Sequence, residues 1–215
     1  MTVLIGLTGN IATGKSEVGR MLADLGARVI DADAVAHQVM RRGGPAYAAV
    51  VEAFGPDILR PDGEIDRVRL GTIVFADAEA LRRLEAIVHP EVIARVDALI
   101  REATEPVVVV EAIKLIEAGM HRNCHALWVV TCPREQQIAR LMRIRGLSEV
   151  EAVLRVDAQP PPAEKIALAD VVIDNSHTLA ETRRQVVAEW EKLAGELRRP
   201  THTPNDCGEE VIPWT

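Results

Sequence analysis

Val3-Leu4-Ile5-Gly6-Leu7-Thr8-Gly9-Asn10-Ile11-Ala12-Thr13-Gly14-Lys15-Ser16-Glu17-Val18-Gly19-Arg20-Met21 is the stretch on which the rest of the chain depends. Residues 9–16 satisfy G-x-x-x-x-G-K-[ST], the phosphate-binding loop pattern. So short a motif carries weight only in context. The apolar run at residues 3–7 reads as a buried strand, and Val18, Met21, Leu22 and Leu25 recur at helical spacing over residues 17–25. A loop between a strand and a helix gathers backbone N–H groups, the helix N-terminus and its dipole around one anion. Gly9 and Gly14 permit the tight turn this needs. Lys15 can then reach the β- and γ-phosphates, and the Ser16 hydroxyl can ligate Mg²⁺. A glycine-rich turn that binds nothing would require neither the Lys-Ser pair nor the flanking strand and helix. We read the stretch as a nucleotide-phosphate site.

Composition bounds what surrounds it. A chain of 215 residues suits one α/β domain with insertions, or a core with one small subdomain. With 48% hydrophobic, 27% charged and only 3% aromatic residues, it has a real core built from Val, Leu, Ile and Ala. The net charge of −7 argues against a polyanion-binding surface, so a phosphate site must be a local basic pocket. Cys124, Cys132 and Cys207 are odd in number and lack metal-ligand spacing, which points to a reduced compartment. No signal-peptide pattern and no membrane-length apolar stretch is visible. The expectation is a cytoplasmic protein with neither nucleic-acid nor membrane partners.

Outward from the loop, residues 28–33 read as a second strand carrying Asp31 and Asp33 at its carboxyl end. Ligands in open α/β sheets bind beyond such ends, although one of the two carboxylates is also a good helix N-cap. Residues 34–105 run mainly as helices (34–40, 46–55, 67–75, 78–88 and 90–103), with His89-Pro90 as a break between the last two. A lone His89 is more often a capping or packing residue than a catalyst. The run Val107-Val108-Val109-Val110-Glu111 reads as a central parallel strand, with Glu111 either facing a metal or held in a structural ion pair. Lys114 follows in an irregular turn, residues 126–131 form a fourth strand, and residues 134–145 and 149–158 form helices. Arg140, Arg143, Arg145, Arg155 and Lys165 make residues 140–165 a basic stretch, read as a mobile lid rather than a merely solvated face. A fifth strand spans residues 169–175. A closing helix over 179–197 has Leu179, Thr182, Val186 and Trp190 as its inward stripe, and residues 200–215 read as a tail.

Taken together these segments resemble the dephospho-coenzyme A kinase family over about residues 3–197. The resemblance rests on Thr8-Gly9-Asn10-Ile11-Ala12-Thr13-Gly14-Lys15-Ser16, Asp31-Ala32-Asp33, Ile65-Asp66-Arg67, Leu84-Glu85-Ala86-Ile87-Val88-His89-Pro90, Arg140-Leu141-Met142 and Ala169-Asp170-Val171-Val172-Ile173-Asp174-Asn175. Departures are Asn10 and Ala12 at usual glycines, Glu17 at a usual threonine and His177 where a glycine is common. The family implies an α/β fold: a phosphate-loop, kinase-like five-stranded parallel sheet flanked by helices, with a helical substrate subdomain and a lid. It would divide as a kinase domain over 1–199 and a tail over 200–215. The domain's core would be 1–33, 106–139 and 166–199, its insertion 34–105 and its lid 140–165.

It further implies ATP-dependent phosphorylation of the ribose 3′-hydroxyl of dephospho-coenzyme A, with Mg²⁺. The nucleotide contacts fall on residues 9–17 (Gly9, Asn10, Ile11, Ala12, Thr13, Gly14, Lys15, Ser16, Glu17) and on Asn175, the metal on Ser16, and the acceptor on Asp33, His89 and Lys114. Asp33, Lys15, Arg140 and Arg143 are the expected catalytic set. Another small-molecule kinase of the same loop class, acting on a nucleoside or nucleotide, and a non-catalytic nucleotide-binding regulator are the rival readings. Oligomeric state is not legible.

Overall fold

The structure is a computed structural model that describes residues 2–198. Cys207 and the expected tail at 200–215 lie outside those residues. Five strands form a sheet in the order β2-β3-β1-β4-β5, with β1 Val3–Thr8, β2 Arg28–Asp31, β3 Val107–Glu111, β4 Ala126–Thr131 and β5 Val171–Asp174. β1 pairs in parallel with β3 (Val3 opposite Val107 through Leu7 opposite Glu111) and with β4 (Ile5 opposite Ala126 through Thr8 opposite Val129). β4 pairs in parallel with β5. Parallel strands need crossover connections, and helices covering both faces bury the strands on each side. That is why β1 and β3 are buried at every position and read as unbroken apolar runs rather than alternating ones.

The helices are α1 Lys15–Asp24, α2 Ala32–Val39, α3 Tyr47–Phe54, α4 Arg67–Ala76, α5 Ala78–Glu102, α6 Arg134–Arg145, α7 Glu149–Asp157, α8 Pro162–Ile166 and α9 Leu179–Arg198. By compactness the chain divides into two units, Met1–Val29 with Thr104–Thr215, and Ile30–Ala103. In the first, alternate residues of three strands (Val3, Ile5, Leu7; Val107, Val109; Trp128, Val130) form one core with Val18, Met21 and Leu22 of α1 and Val186 of α9. Burying each such side chain contributes roughly 1.5–3 kcal/mol. In the second, α5 packs against α2, α3 and α4.

Three local readings change. β2 ends at Asp31 because the Asp31 carboxylate caps α2, accepting the Ala34 N–H at 2.9 Å, which puts Asp33 in the first turn of that helix. Asp31 is therefore the N-cap of the pair. α5 runs unbroken for 25 residues through Pro90. Val88, Val92 and Val96 continue one buried stripe across the proline, so packing overrides the hydrogen bond that Pro90 removes. In α9, Thr182 and Val186 are fully buried and Trp190 packs on the core, but Leu179 is 57% exposed. It stands beside the Thr178–Glu181 pair that caps the helix, where the Thr178 hydroxyl donates to Glu181 at 2.7 Å. The short helix α8 had no sequence signal of its own. Among the described residues no helix is long and apolar enough to cross a membrane.

Candidate active site

The loop after β1 is shaped by close approach of backbone to its surroundings. Gly9 has φ 151°, and a Cβ there would lie 2.2 Å from the Val130 carbonyl oxygen. Gly14 has φ 99°, and a Cβ would lie 2.1 Å from Asn175 Nδ2. Neither position admits a side chain. Between them Ala12 has φ 60°, the only non-glycine residue with positive φ among those described. The Thr13 side chain closes the turn locally, donating to the Asn10 carbonyl at 2.9 Å. α1 then starts at Lys15, so its unpaired N–H groups and its positive dipole end lie at the loop, as anion binding requires.

Side chains from the far end of the sheet fix the loop's second half. Asn175, buried just past β5, donates to the Thr13 carbonyl at 2.7 Å and accepts from the Thr182 hydroxyl of α9 at 2.8 Å. Arg140 of α6 donates to the carbonyls of Ala12 (3.2 Å), Thr13 (3.1 Å) and Asn175 (2.7 Å). Its guanidinium also meets Cys132 Sγ at 3.4 Å. Burial pushes the Cys132 thiol up, and the neighbouring arginine offsets this only in part. A cavity of about 560 Å³ opens over the loop, lined by Gly14, Lys15, Ser16 and Glu17 on one side, with Arg140, Arg143, Arg145, Asn175, His177 and Leu179 among its other walls. Four arginines (Arg20, Arg140, Arg143 and Arg145) and Lys15 around a cavity in a chain of net charge −7 make the local basic pocket that composition required.

Ser16 Oγ donates to Glu111 Oε1 at 2.7 Å, and Glu111 is 5% exposed. A hydroxyl and a buried carboxylate in contact at the carboxyl end of β3 are a hard oxygen pair of the kind Mg²⁺ prefers. The chemistry of this donor pair therefore fits that ion. Among the described residues no cluster of three or more His, Cys, Asp or Glu could hold a metal by itself.

The remaining expected residues fall as follows. Asn10 is buried, and Ile11 and Ala12 form the half-buried crest of the loop. Arg143 is exposed at the cavity wall. Lys165 is buried, donating to the Ile113 carbonyl at 2.8 Å and to Glu117 at 2.8 Å. Lys114 is exposed in the turn after β3. In the other unit Asp33 is half-buried in the first turn of α2, and His89 is half-buried in mid-α5. Gln159, which accepts from the Ile11 N–H of the loop, and Thr182, which meets Asn175, carried no motif signal, since these contacts arise only through folding.

Residues 3–181 match the family model described as CoaE, Dephospho-CoA kinase. The chain belongs to the dephospho-CoA kinase family. A dephospho-CoA kinase of Geobacter metallireducens is 48% identical over 193 residues, covering 88% of this chain and 96% of that protein. TT1252 from Thermus thermophilus superposes with a TM-score of 0.79 at 34% identity, over 89% of this chain and 98% of that one. Dephospho-CoA kinase from Campylobacter jejuni gives a TM-score of 0.67 at 28% identity, over 92% of this chain and all of that one (100%). The family match spans the loop, Glu111, α6 and Asn175 alike, so the residues that shape the cavity lie within it.

Proposed function

We propose that the protein transfers the γ-phosphoryl group of ATP to the ribose 3′-hydroxyl of dephospho-coenzyme A, giving coenzyme A and ADP. The observation that carries this is a phosphate loop over a basic cavity, with Lys15, Ser16 and the buried Glu111 in place, in a chain that belongs to the dephospho-CoA kinase family.

Phosphoryl transfer asks for positioning and charge neutralisation rather than covalent chemistry. The backbone of residues 9–16 cradles the β- and γ-phosphates, and Lys15 neutralises charge on their oxygens. Ser16 Oγ and the Glu111 carboxylate would hold Mg²⁺, which would supply further charge neutralisation when bound. Arg140 keeps the loop's carbonyls turned toward itself and adds its charge beneath the phosphates; Arg143, exposed on the cavity wall, swings toward the transferred group. Asp33 orients the acceptor hydroxyl and takes its proton, while His89 and Lys114 serve the acceptor. Residues 140–165 act as a lid, excluding water from the γ-phosphate. We assign the protein to the cytoplasm on the same reading.

An ADP-release assay with Mg²⁺-ATP across dephospho-coenzyme A, nucleosides, nucleotides and water tests this. Turnover should be at least about 100-fold faster with dephospho-coenzyme A than with any other acceptor. A preference for a nucleoside, or ADP release indifferent to acceptor, overturns the assignment.

A further inference from the structure

Ala12 is a side-chain-bearing residue in a left-handed conformation, with φ 60°. The left-handed region is unfavourable for any residue with a Cβ, and such a residue stays there only where its surroundings over-determine it. Its following side is fixed by Arg140, which takes the Ala12 and Thr13 carbonyls. Its preceding side is fixed by residues far away in sequence. The Ile11 N–H donates to Gln159 Oε1 at 2.6 Å, and Asn10 Nδ2 donates to the Pro160 carbonyl at 3.0 Å. Both partners sit in the connection between α7 and α8. That connection is itself anchored, because Lys165 of α8 is buried and bound to Glu117 and to the Ile113 carbonyl. Ile11 and Ala12 also pack on the small core of the α6–α7 hairpin, built on Leu141, Ala152 and Val156.

We infer that Gln159, seconded by Asn10, is a positioning residue for the phosphate loop: it holds Ile11 so that Ala12 stays left-handed and the loop's N–H groups stay aimed at the nucleotide. This rests on the nucleotide-binding part of the proposed function. Gln159 is the stronger of the two ties, since its bond to Ile11 N–H is 2.6 Å long against 3.0 Å for that of Asn10.

The test is Mg²⁺-ATP affinity, by calorimetry without any acceptor, for Gln159→Met in the natural background and in an Ala12→Gly background. Methionine keeps the volume and removes the acceptor oxygen. Losing one hydrogen bond that restrains the binding loop should raise the ATP Kd about three- to tenfold. The rise should largely vanish in the Ala12→Gly background, because glycine occupies the left-handed region without restraint. Asn10→Gly should show a smaller rise with the same suppression, and serves as the measured variant if Gln159→Met does not fold. An unchanged Kd, or an equal rise in both backgrounds, overturns the inference, since a merely structural contact would not couple to Ala12. If the acceptor assignment fails but this pattern holds, the loop inference stands without it.

Discussion

Lys15 is only 7% exposed, yet it lines the cavity over the loop rather than the apolar core of the sheet. Lys15→Ala should therefore lower turnover by about 10²- to 10³-fold through lost transition-state charge stabilisation, with thermal unfolding close to wild type. Steady-state kinetics beside a melting curve checks both halves. Asp33 is tested by Asp33→Asn, which preserves shape. Because the capping role belongs to Asp31, a base at Asp33 should lose about 10²- to 10⁴-fold in turnover with ATP affinity unchanged. A parallel loss of Mg²⁺ affinity, partly rescued by excess Mg²⁺, would make Asp33 a metal-side residue instead. The residues legible in the sequence were those whose role is fixed by their neighbours in the chain. Gly9, Gly14, Lys15 and Ser16 are set by local geometry, so a short pattern finds them. Gln159, which meets Ile11 across a separation of 148 residues, and Thr182, which reaches the loop through Asn175, become neighbours of the loop only once the sheet forms.

Among the elements, those with a strong pattern were legible nearly to the residue: β3, β4 and α6 run as their apolar runs and flanking proline and glycine indicate. Where two rules competed, tertiary packing decided. Pro90 argues for a break and the Val88–Val92–Val96 stripe for continuity, and the stripe prevails in α5. α2 and α4 carry a pH dependence that no pattern announces. Arg67, at the start of α4, donates to His37 Nε2 on α2. Burial first, then the Arg67 charge, holds His37 below its ordinary value of 6.5, with Arg41 adding to this and Asp33 and Asp31 pulling the other way. The unfolded chain takes up a proton at His37 as the pH falls through 6.5, and the folded chain does so only at lower pH. Folding stability should thus decline on acidification through that window. His37→Gln should flatten the decline in urea melts taken from about pH 7.5 to about pH 5.5, the range the linkage relation covers. An equally steep decline in the variant would remove His37 as its source.

At the scale of the whole molecule, five parallel strands and a phosphate loop follow from apolar runs and crossover lengths, and the family resemblance holds over residues 3–181. Residues 34–105 read as a helical insertion because no strand-like run interrupts them, and by compactness Ile30–Ala103 forms a unit of its own. The acceptor's identity was legible only through the resemblance, since acceptor recognition depends on side chains with no fixed spacing. The central claim is phosphorylation at the ribose 3′ position, and the identity of the product tests it most directly. Dephospho-coenzyme A is incubated with Mg²⁺-ATP, and the product is followed by phosphorus NMR with mass analysis. The account predicts one new phosphomonoester on the ribose 3′-oxygen, formed in step with ADP and suppressed about 10²- to 10³-fold in Lys15→Ala. Free phosphate with dephospho-coenzyme A unchanged, or a phosphoryl group at any other position, would contradict it.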